Sequence, residues 1–197
     1  MCLRVSAPHS LFSETVMQNS FFNVRLELAD DEPFIEQLVA DVFGPGMKAR
    51  AAYALREGVS PVPQLSFVAE EQGALIGCCR LTRITIGGKS ALMLGPLAVR
   101  QEYANRGIGK ALMREAIEAA RKQFAQGDIP EDLIMLVGDF AYYEMFGFER
   151  AKPGQIQLPR PVDPQRVLLC ELRSGAGKEI SGPAERRLPS NKPIQSP

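Results

Sequence analysis

The chain has 197 residues, of which 45% are hydrophobic and 23% charged, and its 23 basic side chains balance 23 acidic ones. This length supports one domain with a full hydrophobic core rather than two. Zero net charge argues against a dedicated nucleic-acid surface, which usually carries a basic excess. No apolar run approaches the ~20 residues that span a bilayer, so we expect no membrane partner.

The cysteine and histidine content is too sparse for a zinc site, so we expect no metal. The cysteines are Cys2, Cys78, Cys79 and Cys170. They show no Cys-x-x-Cys spacing, and the lone histidine is His9. Residues 1–23 lack the apolar core of a signal peptide and are expected to form a flexible N-terminal extension. These features predict a reduced, cytoplasmic protein.

The first half of the chain predicts a strand, two helices and three further strands. In order, the segments are VRLEL (24–28), a helix over 29–44, a turn and short helix in GPGMKARAAYALREG (44–58), LSFVAEE (65–71), ALIGCCRLTRITI (74–86) and KSALMLGPLAV (89–99). Only Gly87-Gly88 separates the last two, which predicts a tight hairpin. Gly95-Pro96 inside the last strand indicates a bulge or an edge irregularity.

The second half predicts one long helix followed by shorter elements. The segments are a helix from about 107 to 124, LIMLV (133–137), a short helix through AYYEMF (141–146), a strand over roughly FERA and QIQL, and RVLLCEL (166–172). The composition of residues 174–197 predicts a disordered tail. One domain over residues 24–173 remains, with the mixed α/β class: a mostly antiparallel sheet, one parallel βαβ crossover and flanking helices.

The stretch YANRGIGKALM (103–113) begins the long helix with two glycines, and neither common nucleotide motif fits it. A dinucleotide fingerprint needs a third glycine where Leu112 stands, and a P-loop needs Ser or Thr where Ala111 stands. The first N–H groups of a helix nevertheless attract anions, and glycine lets a phosphate approach the backbone. Taken alone, the stretch fits a phosphate site and a simple helix start equally well.

The wider context, LGPLAVRQEYANRGIGKALM followed by IMLVGDFAYYEMFGF, resembles the GNAT superfamily of acetyl-CoA-dependent N-acetyltransferases. Gly107 and Gly109 occupy the family's two glycine positions, whereas Ala104 stands where the family prefers Gln or Arg. The resemblance covers roughly residues 24–172. It implies transfer of an acetyl group from acetyl-CoA to a primary amine by direct attack in a ternary complex.

The resemblance also implies the residues that bind coenzyme A. Backbone N–H groups are expected to hold its pyrophosphate, and part of the bulged strand is expected to run beside its pantetheine arm. The pyrophosphate residues are Asn105, Arg106, Gly107, Ile108, Gly109 and Lys110, and the pantetheine residues are Leu97, Ala98 and Val99. The side chains of Arg106 and Lys110 either add charge to this site or are solvated.

Tyr143 lies where the family has a tyrosine that protonates the departing thiolate, so it is the candidate catalytic residue. The alternative is an aromatic anchor for the short helix. Tyr142 is expected to pack, and Asp139 to cap the helix. No general base stands out, since Glu70 and Glu71 at the end of a strand fit solvent-facing positions equally well.

The amine acceptor, a small molecule or a peptide, is expected to lie beneath residues 44–58. Arg50, Tyr53 and Arg56 are candidates to contact it, although solvated arginines on an amphipathic helix fit the pattern equally well. The runner-up function is a non-catalytic module that binds or senses acyl-CoA. The sequence is compatible with a monomer or a homodimer.

Overall fold

The computed structural model describes residues 22–187, which form nine strands and five α-helices. The strands are Asn23–Leu26 (β1), Phe67–Glu71 (β2), Ala74–Ile86 (β3), Lys89–Val99 (β4), Leu133–Val137 (β5), Glu149–Arg150 (β6), Ile156–Gln157 (β7), Val167–Glu171 (β8) and Gly182–Arg186 (β9). The helices are Glu32–Phe43 (α1), Ala51–Ala54 (α2), Ile108–Gln126 (α3), Phe140–Tyr143 (α4) and Ala176–Glu179 (α5).

One mixed sheet runs through the molecule in the order β1-β2-β3-β4-β5-β8-β6. Its neighbouring strands are antiparallel except β4 and β5, which pair in parallel at Leu92–Ile134 and Met93–Met135. Helix α3 supplies the crossover between these two strands. The predicted fold class, a mostly antiparallel sheet with one parallel βαβ crossover, is therefore confirmed.

The β3–β4 hairpin is the longest pairing in the sheet and turns at Gly87-Gly88. Ile86 pairs with Lys89, and the two glycines have φ angles of 55° and 80°. A two-residue turn with both φ angles positive matches the twist of its strands, and glycine adopts it without steric cost. The predicted tight hairpin is confirmed.

Helices cover both faces of the sheet, and the adjacent cysteines of β3 point to opposite sides. The core under α3 contains Cys79, whereas the core under α1 contains Cys78. Gly77 allows α3 to lie close to β3, because a Cβ there would be 3.1 Å from the side chains of both Ile108 and Leu112. Among residues 22–187, no helix combines the length and hydropathy needed to cross a membrane.

The expectation of a disordered tail from residue 174 is wrong for residues 174–187. Strand β9 pairs antiparallel with β3 over Ile84–Arg186, Thr85–Glu185 and Ile86–Ala184. Because β2 pairs with β3 only as far as Cys79, the second half of β3 would otherwise present an open edge. Three apolar residues of this polar segment are buried: Ala176, Ile180 and Ala184.

The predicted strand over FERA and QIQL is also wrong as one element. Pro153-Gly154 interrupts it, with φ of 78° at the glycine. The first piece, β6, pairs with β8, and the second, β7, pairs in parallel with β9. The predicted N-terminal extension, apart from its last two residues, and residues 188–197 lie outside the described residues, as do Cys2 and His9.

Shortening Ile180 to alanine tests whether the C-terminal segment belongs to the fold. Ile180 is 3% exposed, and replacing a buried isoleucine by alanine costs about 2–5 kcal/mol of unfolding free energy. We expect a loss in that range in urea denaturation. The matched control, Glu185→Ala on an exposed position of β9, should change the value by less than about 0.5 kcal/mol. An unchanged urea midpoint for Ile180→Ala would contradict the burial of Ile180 in the core.

Candidate active site

The parallel strands β4 and β5 separate beyond their two paired residues because β4 carries a bulge. Cys79 pairs with Leu97 and Leu81 with Leu94, so Arg80 alone faces both Gly95 and Pro96. An extra residue bends the bulged strand away from its neighbour. The predicted bulge is confirmed, and it opens a notch between the carboxyl ends of the two strands.

A cavity of about 780 Å³, here called the central cavity, occupies this notch. Its walls come from β4 and its bulge, the end of β5, helix α4, the segment around α2 and the loop before β8. Lining residues from these elements include Leu97, Val137, Tyr143, Tyr53 and Val162. Residues widely separated in sequence thus meet around one space that is large enough for a small-molecule ligand.

The start of α3 presents backbone donors that have no acceptor within residues 22–187. The first backbone bond into the helix runs from Ala111 N to Gly107 O at 3.0 Å, and the N–H groups of residues 105–110 make none. Asn105 and Gly107 have φ of 62° and 83°, which turns the chain into the helix. Six donors therefore gather at the positive end of a 19-residue helix.

Gly109 lies where the first turn of α3 meets Tyr142 and β4. A Cβ at this position would be 2.8 Å from the Tyr142 hydroxyl oxygen and 3.8 Å from Val99 Cγ2. The Tyr142 ring also contacts Tyr143, with 4.9 Å between ring centroids. Tyr142 therefore packs as expected, but it also touches the 105–110 segment, a contact that no spacing in the sequence could have revealed.

Several charged side chains near the start of α3 are paired with other charged side chains. Arg106 forms an ion pair with Glu71 and lies 5.2 Å from the Tyr103 ring centroid. Glu70 accepts a hydrogen bond from Arg25 at 2.9 Å. Neither glutamate lines the central cavity. Arg106 is thus positioned to offer its backbone to a ligand more readily than its guanidinium, whereas Lys110 is exposed.

The residues predicted to run beside the pantetheine arm differ in accessibility. Leu97 lines the central cavity, while Ala98 is buried in the core under α1. Val99 is half-buried and faces Gly109. The strand therefore links the central cavity to the start of α3.

Tyr143 projects from α4 into the central cavity. Its ring lies against Gly138, where a Cβ would be 2.2 Å from Tyr143 Cε2. Asp139 caps the helix as predicted, accepting a hydrogen bond from Ala141 N at 3.2 Å. Burial raises the pKa of Tyr143 above its ordinary value of 10.0. The phenol is therefore neutral at physiological pH and can donate a proton.

The structure brings Arg50, Tyr53 and Arg56 to the same cavity as Tyr143. It adds Asp163 and Arg166 from the loop before β8, which the sequence did not single out. Their one local signal is the cap in VDPQR, where Asp163 accepts a hydrogen bond from Gln165 N at 3.0 Å. Within residues 22–187, no group of three or more His, Cys, Asp or Glu side chains is arranged to hold a metal ion.

Comparison with known proteins identifies the family of this chain. Residues 63–150 match the family model of the acetyltransferase (GNAT) domain. The N-acetyltransferase YjhQ of Escherichia coli K12 is 33% identical over 132 residues, covering 65% of this chain and 70% of YjhQ. The N-acetyltransferase YhbS of the same organism is 28% identical over 165 residues, covering 82% of this chain and 94% of YhbS.

Solved structures show the same fold. The crystal structure of Escherichia coli YhbS in complex with CoA has a TM-score of 0.70 and 23% identity, covering 87% of this chain and 92% of that one. A GNAT acetyltransferase from Brucella melitensis in complex with acetyl-CoA has a TM-score of 0.61 and 21% identity, covering 85% and 97%. The similarity in sequence and fold shows that this chain belongs to the GNAT family of N-acetyltransferases.

Proposed function

We propose that the protein is an N-acyltransferase that moves an acetyl group from acetyl-CoA to a primary amine. The observation that carries this proposal is the row of unpaired backbone donors in the 105–110 segment, beside the notch between β4 and β5. Relatives with the same fold are known in complex with CoA and acetyl-CoA, which supports this donor. The domain would extend from β1 to at least Arg187.

The 105–110 segment offers enough hydrogen bonds for a pyrophosphate. Micromolar binding needs roughly 8 kcal/mol, whereas the helix dipole supplies at most about 2 kcal/mol. Hydrogen bonds to a charged group contribute roughly 1.5–3 kcal/mol each. About 6 kcal/mol then remains, so two to four of the six N–H groups would suffice. Ala104 does not weaken this binding, because the backbone provides the donors.

The pantetheine arm would lie in the notch, where β4 has lost β5 as its neighbour and can pair with an extended ligand. Leu97 and the bulge at Gly95-Pro96 would then border the thioester in the central cavity. We propose the Val99 N–H as a donor to the pantetheine arm or to the developing oxyanion. Acetyl-CoA would supply the thioester as cosubstrate.

The transfer itself needs a neutral amine and a proton for the leaving group. The amine nitrogen attacks the carbonyl carbon, the C–N bond forms, the C–S bond breaks, and the sulfur leaves as a thiolate. Tyr143 donates its phenolic proton to that sulfur and regains a proton from water, while the amine proton passes to water. A phenol is protonated at neutral pH, and burial, which raises the pKa of Tyr143, leaves it so.

The amine acceptor would enter the central cavity from the side of α2, opposite the 105–110 segment. The carboxylates lining this cavity are Asp139 and Asp163, and each accepts a hydrogen bond from a nearby backbone N–H. Each of these aspartates caps a short helix, and we propose that water removes the amine proton. A module that binds acyl-CoA without turnover is the competing function, and thiol release distinguishes the two.

Gly109→Glu tests the pyrophosphate site, because it places a carboxylate among the unpaired N–H groups. We expect the stabilisation of the protein by coenzyme A in a thermal-shift assay to disappear. Circular dichroism of the ligand-free protein should remain native-like, although the Tyr142 hydroxyl, 2.8 Å from the position of the new Cβ, must shift.

The matched control is Gln126→Glu, which adds the same charge at the exposed far end of α3. It should keep the full coenzyme A shift. If Gly109→Glu binds coenzyme A with wild-type affinity, the pyrophosphate does not lie on the 105–110 segment and the proposal fails there.

Tyr143→Phe tests the proton donor. A positioned general acid contributes about 10²- to 10⁴-fold to a rate, so we expect kcat for thiol release to fall by at least about tenfold. Acetyl-CoA affinity should remain within about twofold, because the 105–110 segment proposed to hold the pyrophosphate is unchanged. An unchanged kcat would assign Tyr143 a packing role only.

A further inference from the structure

Arg56 is a half-buried guanidinium at the junction of two cavities. It lines the central cavity and also a second cavity of about 690 Å³, and both include Met47, Tyr53 and Pro96. Its Nη1 atom lies 3.7 Å from the position that a Cβ on Gly95 would take. The guanidinium therefore lies over the bulge, next to the place proposed for the thioester.

Arg56 has no carboxylate partner within residues 22–187. Its Nε donates a hydrogen bond to Ala52 O at 2.9 Å, and its two terminal nitrogens donate none. Many other arginines of the described chain are paired with carboxylates: Arg25, Arg80, Arg83, Arg100, Arg106, Arg173, Arg186 and Arg187. Arg56 is among the described arginines that lack such a partner and, unlike Arg114, Arg121, Arg150 and Arg160, it lines the central cavity.

Nearby acidic groups do not compensate the charge of Arg56. Three glutamates line the second cavity: Glu32 pairs with Arg80, Glu57 lies 3.9 Å from Arg186, and Glu36 has no basic partner within 4.0 Å among the described residues. None of the three lies within 4.0 Å of the Arg56 guanidinium. Burial lowers the pKa of Arg56 to about 10. The guanidinium still carries its charge at neutral pH, and its terminal nitrogens face the two cavities without a protein acceptor among the described residues.

The free edge of this guanidinium has the geometry of an anion site. With Nε bound to Ala52 O, Nη1 and Nη2 remain as two parallel donors, which match the two oxygens of a carboxylate or phosphate. Arg50 and Arg166 line the same cavity and also have no carboxylate within 4.0 Å among the described residues. Three arginines against two aspartates, each already accepting a backbone N–H, make the cavity cationic.

We propose that the acceptor is a small primary amine that also carries an anionic oxygen group, a carboxylate or a phosphate, bound by Arg56. This inference rests on the proposed function and names the substrate class of the same site. A cationic cavity lowers the affinity for a simple ammonium ion, which is the protonated form of an alkyl amine at neutral pH. An anionic group on the same molecule offsets that repulsion and fixes the amine beside the bulge.

Thiol release from acetyl-CoA is measured with amine pairs matched in length. The pairs are 4-aminobutyrate with butylamine for the carboxylate arm, and phosphoethanolamine with ethanolamine for the phosphate arm. In at least one pair, we expect kcat/KM for the anionic member to exceed that of its neutral partner by about 10- to 100-fold. This range corresponds to the free energy of one hydrogen bond to a charged group. The pair that shows the preference indicates whether the site binds a carboxylate or a phosphate.

Arg56→Met removes the charge but keeps much of the length of the side chain. It should abolish the preference for the anionic member, because kcat/KM for the anionic amine should fall to about that of its neutral partner. Arg56→Lys should retain part of the preference. Arg114→Met, on the exposed face of α3 and outside the central cavity, should keep wild-type discrimination.

A binding measurement keeps the inference testable if no amine is turned over. Calorimetry of the coenzyme A complex compares N-acetyl-4-aminobutyrate with N-butylacetamide, and N-acetylphosphoethanolamine with N-acetylethanolamine. Tighter binding of an anionic member that is lost in Arg56→Met supports the inference even if the transferase proposal fails. Equal binding of both members, no binding of either, or a preference that persists in Arg56→Met would overturn it.

Discussion

The separation of β4 from β5 is the constraint on which the rest of the site depends. Two parallel pairs, at Leu92 and Met93, hold the strands together before the bulge at Gly95-Pro96 bends β4 away. A continuous ladder would satisfy every backbone group and leave no cavity. Because the ladder stops inside the sheet, an opening forms between two strands, and residues on strands hold functional groups more accurately than residues on loops.

The opening has two ends with different chemistry. At one end, the 105–110 segment presents backbone donors whose positions depend on the turn at Gly107 and on the close contact between Gly109 and Tyr142. At the other end, the segment around α2 supplies arginine side chains to a partly desolvated cavity. Backbone donors do not depend on side-chain identity, so they suit a ligand group that does not change. Side chains can differ between proteins, so they suit an acceptor that does. Tyr143 lies in the cavity wall with Arg56.

The sequence predicted much of this arrangement because its signals were local. The Gly87-Gly88 turn, the bulge at Gly95-Pro96 and the Asp139 cap each depend on neighbouring residues, and the structure has all three. The C-terminal strand was missed because its stability comes from the distant edge of β3, and its own composition of Gly, Ser, Pro and charge resembles a tail. The contribution of Asp163 and Arg166 was missed for the same reason, since folding alone brings their loop to the cavity.

The sequence by itself determined the fold class, the place of the long helix and the likeness to an acetyl-CoA-dependent family, because periodicity and glycine spacing are properties of adjacent residues. It left Arg56 equally compatible with solvent and with a site. Only the tertiary structure decided that this side chain lies over the bulge without a carboxylate partner among the described residues. The physical reason is that the burial and ion pairing of a residue depend on which distant segments fold against it. A local sequence pattern does not indicate those segments.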